Sequence, residues 1–192
     1  MEYQKTVTTN AASMLRKRKY KNIKVKQMIR FSTLSEYFEG NVLTNESDAK
    51  DCSDTTVHAI VLDLVKKKKP DESLGKKHSD IIINIKTECG YKNMIVISKQ
   101  TITSSAKKSL KNNGIEIFSW SDFNYDVTAH IYQPVITLLN MRDSNGIKKS
   151  FGESKLPHIK LTDIIVRYYN AKLGNVMMFE REDGVYYRMV VP

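Results

Sequence analysis

The sequence has 192 residues, enough for one domain or two small ones, and its hydrophobic fraction of 41% is typical of a chain that folds. The formal net charge of +10 suggests a polyanionic partner, nucleic acid first, although a basic surface can also serve an acidic protein or a membrane face. No apolar run approaches the length that spans a bilayer, so we expect a soluble intracellular protein with no membrane partner.

The cysteine and histidine residues give no pattern of a metal or redox site. Cys52 and Cys89 form no Cys-x-x-Cys pair, which argues against a disulfide framework. His58 and His78 lack the spacing of a zinc site. No glycine loop that cradles phosphate and no Gly-x-Ser-x-Gly motif occurs. We therefore predict no metal, no cofactor, no catalytic residue and no small-molecule substrate.

The first third of the chain shows two helical patterns. An apolar stripe beside a basic face, which includes Arg18, predicts a helix from 8 to 20. A second helical pattern covers 31–38, with Gly40 as its stop. The polar stretch from 44 to 55 has few residues that could be buried and predicts a loop.

The middle of the chain predicts a sheet with helices packed on it. Strands are indicated at 57–65, 94–98 and 115–120, and a helix at 104–112. The segment 81–85 fits a strand by its β-branched residues and a helix by its one-sided apolar spacing. With a helix there, strands and helices alternate, which suggests an α/β sheet that is mostly parallel by the crossover rule.

The lysine run at 66–70 allows two readings. It is either a solvated loop or a segment for nuclear targeting or phosphate contact. Residues 144–154 are rich in turn-forming types and predict a linker.

The last forty residues predict a short helix followed by a hairpin. Asp163 can cap the helix, which carries the apolar residues that follow it. Strands at 176–180 and 185–191 flank the Asp183-Gly184 pair, which would supply the positive φ angles of a two-residue turn. So small a module buries little apolar surface by itself. We therefore predict a docking module whose outer strand could pair with another chain's sheet edge.

The start of the 104–112 helix is a candidate phosphate-binding surface. Thr103 is placed to cap the helix, which leaves the amides that follow it and the positive end of the helix dipole available to an anion. The alternative is an ordinary capped helix with a solvated basic face. The candidate contact residues are Thr103, Ser104, Ser105, Lys107, Lys108 and Lys111.

An enzymatic reading rests on three residues. Asp63, Asn84 and Lys86 are similar in order to the two acids and lysine of metal-dependent nucleases, but an amide stands where the second carboxylate should be. A stand-alone basic DNA-binding protein, or a Mg²⁺-dependent nuclease of nuclease-like α/β fold, is therefore the alternative function.

Several C-terminal motifs carry a resemblance to a known family. These motifs are Leu156-Pro157-His158-Ile159, Thr162-Asp163, Val166-Arg167-Tyr168-Tyr169, Leu173-Gly174, Val176, Arg181 and Tyr187-Arg188. In order and spacing they resemble the assembly domain of the fifth subunit shared by eukaryotic RNA polymerases, which has an archaeal equivalent. An upstream Thr128-x-His130-x-x-x-Pro134 element is similar to the base of the family's jaw domain.

The chain also departs from the family pattern. Lys19 and Asn170 stand where the family usually has glycine, and Ser104 and Ile164 stand where it usually has proline. The last loop is shortened to three residues, 182–184. These differences are compatible with a divergent copy, of cellular or viral origin.

The resemblance implies a fold and a function. It implies an α/β N-terminal jaw domain at 1–143, a linker at 144–154 and a small α+β assembly domain at 155–192. The function implied is that of a non-catalytic RNA polymerase subunit, in the nucleus, or in the cytoplasm or virion for a viral polymerase. Its partners would be the largest and other polymerase subunits and downstream duplex DNA, bound without reading its sequence.

The resemblance also assigns residues to these partners. The helix start at Thr103 would face downstream DNA, and His130 and Pro134 would lie at the base of the jaw. From the residues alone, His130 is either a hydrogen-bonded structural histidine before Pro134 or a proton shuttle, and the first reading is favoured. The residues expected at the subunit interface are Leu156, Pro157, Asp163, Arg167, Tyr168, Gly174, Arg181, Tyr187 and Arg188.

Overall fold

The chain divides into two compact units, which we describe from a computed structural model. The N-terminal unit comprises Met1–Tyr125 and the C-terminal unit Asp126–Pro192, so the division falls before the predicted boundary at 143. Within the part of the chain described, no helix is long and apolar enough to cross a membrane. The structure describes residues 2–20, 23–26, 38–45, 57–64 and 73–192.

The N-terminal unit is built on a five-stranded sheet in the order β1-β2-β3-β4-β5. The strands are β1 (Ile23–Lys26), β2 (Phe38–Asn45), β3 (Val57–Leu64), β4 (Asn93–Ser98) and β5 (Ile115–Ser119). β3, β4 and β5 are parallel, whereas β1 and β2 join antiparallel. The predicted α/β character is confirmed, but the sheet is mixed rather than mostly parallel.

The source of this difference is β2. Phe38 and Gly40, predicted as the end of a helix, lie in β2, as do the first residues of the loop predicted at 44–55. β2 pairs antiparallel with β3 over seven residues, and this tertiary pairing overrides the local helical spacing. Residues 31–37, the rest of the 44–55 loop and the lysine run at 66–70 lie outside the described residues.

Three helices complete the N-terminal unit. The segment 81–85 is helical, because Ile82 and Ile85 are buried against the sheet while Asn84 between them is exposed. α2 and α3 share one core with the sheet. The first helix begins earlier than predicted. The helices are α1 (Glu2–Lys17), α2 (Lys76–Glu88) and α3 (Ser104–Asn112).

Arg18, predicted on the basic face of the first helix, is nearly buried instead. Its side chain is 3% exposed, and its two terminal nitrogens donate to the two oxygens of Glu116 at 3.0 and 2.8 Å. The guanidinium also lies 5.8 Å from the centre of the Phe118 ring. This bidentate pair fixes the end of α1 to β5.

The C-terminal unit is a four-stranded sheet in the order β6-β8-β9-β7, with one helix packed on each face. Asn140 caps α4 by accepting from the Asp143 amide at 2.9 Å, and Gly152 ends it at a φ of +82°. The linker predicted at 144–154 is therefore mostly helix. The elements are β6 (Val135–Leu138), α4 (Met141–Phe151), β7 (His158–Lys160), α5 (Ile164–Tyr168), β8 (Val176–Arg181) and β9 (Gly184–Val191).

The predicted hairpin is formed by β8 and β9, with two details changed. Arg181 pairs with Gly184, so the two turn residues are Glu182 and Asp183, one position earlier than predicted. The hairpin is also not at the edge, because β6 pairs with β8 and β7 pairs in parallel with β9. The expectation of a free outer hairpin strand is therefore wrong, and the edges are β6 and β7.

The two faces of this sheet carry different residues. The α5 face holds Phe179 and Val190 with Val166 of α5 in one core. The α4 face holds Val176 and Met189, with Ile147 of α4 and other residues in a second core. Because partners across a ladder point to the same side, every residue of β8 and β9 belongs to one face or the other.

Two helices end in left-handed residues that are not glycine. Lys19 (φ +69°) and Asn170 (φ +54°) each follow a helix end closed by paired backbone hydrogen bonds, Tyr20 N to Leu15 O at 3.1 Å in the first case. This is the Schellman arrangement, which favours glycine at the left-handed position. The backbone thus keeps a glycine-like turn at both places where the family pattern has glycine.

We expect Lys19→Gly to raise the free energy of unfolding of the N-terminal unit by about 0.5–1 kcal/mol. A left-handed conformation costs an ordinary residue about 1–2 kcal/mol, and glycine removes this cost. Part of the stabilisation is offset because glycine has more conformational entropy in the unfolded chain. Trp120, the one tryptophan of the chain, is buried in this unit, so denaturant unfolding followed by its fluorescence measures the change.

Asn170→Gly is the matched comparison in the C-terminal unit. Asparagine tolerates the left-handed region, and the Asn170 Oδ1 accepts from the Lys172 amino group at 2.6 Å. We therefore expect Asn170→Gly to change the free energy of unfolding, measured by circular dichroism, by less than about 0.5 kcal/mol. A Lys19→Gly variant no more stable than the parent would show that Lys19 is not strained.

Candidate nucleic-acid and subunit interfaces

The predicted cap of α3 is confirmed. The Thr103 hydroxyl oxygen accepts from the Ala106 amide at 3.4 Å and donates to the Leu74 carbonyl at 3.2 Å. Ser104 and Ser105, in the first turn, are exposed. The first turn holds no acidic residue that would occupy the positive end of the helix dipole.

The start of α2 lies directly beside the start of α3. Leu74 and Ile102 form a parallel bridge, with the Leu74 amide donating to the Thr101 carbonyl at 2.8 Å and the Thr103 amide donating to the Leu74 carbonyl at 3.1 Å. Gly75 caps α2 immediately after this bridge. Two helix N-termini therefore open next to each other.

Lys76 and Lys77 add two cations that the sequence analysis missed. Both are exposed in the first turn of α2, which also contains no acidic residue. Lysine at a helix N-terminus is mildly disfavoured by the dipole, and a bound anion would offset that cost. We call these residues the paired N-terminal surface: Lys76, Lys77, Thr103, Ser104, Ser105, Lys107 and Lys108.

Lys111 does not belong to this surface. It lies in the last turn of α3, where a cation is favoured by the negative end of the dipole. At about 1.5 Å per residue it is roughly 10 Å along the helix from Ser104. Lys107 and Lys108 lie in the middle of the helix, are exposed, and remain within reach of a ligand at its start.

The nuclease constellation is not formed. Asn84 and Lys86 lie on α2, and the Lys86 amino group donates to the carbonyls of Asn113 at 2.6 Å and Gly114 at 3.2 Å. Lys86 thus satisfies the carbonyls that follow α3 rather than facing a metal or a water. The Asp63 side chain lies outside the described residues.

His58 and His78, which lack the spacing of a zinc site, both make contacts within the N-terminal unit. The His58 ring stacks on Tyr91 with 3.8 Å between ring centres. Burial, followed by a hydrogen bond with Cys89, raises the pKa of Tyr91 to about 12. His78 Nδ1 accepts from the Gly75 amide at 3.2 Å and so supports the start of α2.

At the predicted jaw base, Asp126 is the organising residue, and the sequence analysis missed it. Its Oδ1 accepts from the Thr128 amide at 2.9 Å, from the Thr128 hydroxyl at 2.7 Å and from the Tyr168 hydroxyl at 3.2 Å. Burial, followed by the charge of Asp126, raises the pKa of Tyr169. His130 is exposed and accepts from the Tyr132 amide at 3.3 Å, while Pro134 leads into β6.

Several predicted interface residues hold the C-terminal unit together. Leu156 and Tyr168 are buried in it. The Asp163 carboxylate caps α5 by accepting from the Ile165 amide at 2.8 Å. Gly174 has a φ of +78° and donates its amide to the Val190 carbonyl, and the Pro157 carbonyl accepts from the Met189 amide. These residues shape the unit, whatever they contact outside it.

Arg181 and Arg188, both predicted at the subunit interface, lie exposed on the α5 face. The Arg181 guanidinium lies 5.5 Å from the centre of the Tyr186 ring, and the Arg188 guanidinium lies 5.5 Å from the centre of the Phe179 ring. Arg167 lies on α5, which packs on the same face. Tyr187 points to the opposite face by the alternation of β9.

Comparisons with known proteins show what the C-terminal unit is similar to. Residues 125–190 match the model of the RNA polymerase Rpb5 C-terminal domain. In Arabidopsis thaliana, subunit 5B of DNA-directed RNA polymerases IV and V is 30% identical over 94 residues, which are 47% of this chain and 43% of that protein. Subunit 5C of polymerase V is 29% identical over 118 residues, 57% of this chain and 51% of that protein.

These matches span about half the length of the curated relatives. The match to the family model coincides closely with the compact unit Asp126–Pro192. Arg181 and Arg188 therefore lie within the matched residues. Residues 125–190, which make up nearly all of the C-terminal unit, are therefore similar to the Rpb5 C-terminal domain.

Proposed function

We propose that the chain is a non-catalytic subunit of a multisubunit DNA-directed RNA polymerase. One observation carries this proposal: the whole C-terminal unit is matched by the Rpb5 C-terminal domain, and the relatives are named as polymerase subunits. The C-terminal unit docks on the largest subunit and the N-terminal unit contacts downstream duplex DNA. The protein acts where its polymerase acts, in the nucleus, or in the cytoplasm or virion for a viral enzyme.

The arginines of the α5 face support docking on a protein partner. Arg181 and Arg188 are exposed, and each guanidinium rests over an aromatic ring. A stacked guanidinium is partly preorganised, so less side-chain entropy is lost when it binds a carboxylate. Arginine and aromatic residues are enriched among the interface residues that contribute most of the binding free energy.

The paired N-terminal surface supports contact with DNA. Free amides at two adjacent helix starts and the four lysines Lys76, Lys77, Lys107 and Lys108 provide donors and charge for phosphate oxygens. Such contacts do not read base edges. This property suits a polymerase subunit, because the enzyme must move over every sequence.

Arg188→Glu tests the docking surface. We expect the tagged variant to recover the largest polymerase subunit at about one tenth of the parental yield or less, because it places a carboxylate opposite an acidic partner site. The measurement is an affinity pull-down of the intact chain from its native cells, with quantitative mass spectrometry of the two large subunits.

Lys155→Glu is the matched control. Lys155 is exposed in the same unit, after α4, and carries the same charge. We expect it to leave the yield of the large subunits unchanged. Circular dichroism must show both variants folded. Equal recovery by Arg188→Glu and the parent would reject the α5 face as the docking surface, and failure of the parent to recover polymerase subunits would reject the function itself.

The DNA contact predicts a change in salt dependence. We expect the double variant Lys76→Gln/Lys107→Gln to reduce the slope of log affinity against log salt by about 1.8, since each lost phosphate contact removes about 0.9 for duplex DNA. Fluorescence anisotropy of the intact chain with a labelled duplex of mixed sequence, at several salt concentrations, measures this slope.

The control variant is Lys155→Gln/Lys172→Gln, which removes the same charge from exposed positions of the C-terminal unit. Its slope should match that of the parent. If both double variants change the slope equally, then net charge rather than the paired N-terminal surface accounts for binding. A second duplex of different sequence should give the same affinity.

A further inference from the structure

Among the sheet edges that the structure describes, only β6 carries no charged residue. β1 has lysine at two of its four positions, β5 contains Glu116, and β7 is three residues long and contains Lys160. β6 reads Val135-Ile136-Thr137-Leu138. Folded proteins place charges, above all lysine, on exposed edge strands, because an edge without them pairs readily with other chains. β6 lacks that protection.

The backbone of β6 is hydrogen-bonded on one side only. The Leu139 amide donates to the Val176 carbonyl at 3.1 Å, so these two residues form a hydrogen-bonded pair of the ladder between β6 and β8. In an antiparallel ladder such pairs alternate with pairs whose amides and carbonyls point away. Ile136 and Leu138 are the residues that point away, and within the described ranges no group hydrogen-bonds to their backbone. Two amides and two carbonyls are therefore open to another strand.

The residues around β6 favour an apolar partner strand. Between His130 and Arg142 the sequence contains no charged residue. Ile131 and Tyr132, in the turn that leads to β6, are each 87% exposed, and Val135 is 64% exposed. Exposed apolar side chains that lie together mark interaction sites. Apolar side chains of an added strand would cover them, whereas charged side chains would find no partner on β6.

The edge is too short to hold two copies of the chain together. The four residues of β6 extend over about 14 Å, whereas a stable interface buries at least about 1,200 Å². The ladder cannot lengthen in either direction, because Pro134 has no amide hydrogen and α4 begins at Met141. A strand added to β6 must therefore belong to a larger interface, as it would for a unit that docks in an assembly.

We propose that β6 binds an extended apolar segment of a polymerase subunit, which joins the C-terminal sheet as a fifth strand. The backbone of Ile136 and Leu138 supplies the hydrogen bonds, and the side chains of the segment alternate between the two faces of the sheet. The proposal rests on the proposed function for the source of the segment, and it adds a mode of docking that the arginines of the α5 face do not use.

Hydrogen exchange tests this proposal directly. Exchange at single amides is measured by mass spectrometry with electron-transfer fragmentation, on the intact chain alone and on polymerase purified through the tagged chain. The amides of Val135 and Thr137, which bond to β8, should be protected in both samples. The amides of Ile136 and Leu138 should exchange rapidly in the isolated chain and about ten-fold more slowly, or slower still, in the polymerase.

Leu138→Pro removes one outward donor, and Leu138→Ala is its matched control. Both variants lose the leucine side chain, but only proline lacks the amide hydrogen, and an outward position of an edge strand tolerates proline. We expect the tagged Leu138→Pro chain to recover the large polymerase subunits at about one tenth of the yield of Leu138→Ala, because a carbonyl of the added strand loses its donor. Circular dichroism should show that both variants fold.

The possible results separate this proposal from the proposed function. If the parent recovers polymerase but exchange at Ile136 and Leu138 is no slower there, strand addition is overturned and the subunit function stands. Equal yields from the two folded variants would overturn it as well, and if Leu138→Pro does not fold, the exchange of the parent decides. Protection in the isolated chain, together with a dimer in analytical ultracentrifugation, would assign β6 to a second copy instead. If the parent recovers no polymerase subunit, both proposals fall.

Discussion

The parallel pairing of β3 with β4 is the constraint on which the candidate DNA surface depends. A parallel neighbour can be reached only by a crossover, so α2 must begin where β3 has ended and α3 where β4 has ended. Both helices therefore start at the carboxyl ends of the parallel strands. The bridge between Leu74 and Ile102 then sets the two starts side by side, and the positive ends of two helix dipoles meet.

Local chemistry explains which parts of this surface the sequence predicts. Thr103 caps a helix whose period is clear, and both the cap and α3 are found as predicted. Lys76 and Lys77 belong to the same surface only because a distant strand pairing brings α2 to α3, and no local pattern reports that. The left-handed Lys19 shows the opposite case, in which a backbone turn persists although the residue that favours it is absent.

The errors in the C-terminal unit have two causes, which are a helix cap just before the segment and contacts between distant segments. The residues at 144–154 look like a linker by composition, since Gly146, Asn145 and the serines favour turns. They form α4 because Asn140 caps them and the α4 face gives Ile147 a core to join. Likewise β7, only three residues long, becomes visible as a strand only when it pairs with β9.

The position of β7 also decides how the C-terminal unit can bind partners. With both hairpin strands inside the sheet, their backbone groups are already paired, so a partner strand could be added only at β6 or β7, and the hairpin can bind a partner only through side chains on the two faces. The alternation of β9 sends Arg188 to one face and Tyr187 to the other. Neighbouring residues of one strand thus contribute to an exposed arginine surface beside α5 and to the apolar core beneath α4, so the two faces of the sheet differ in chemistry.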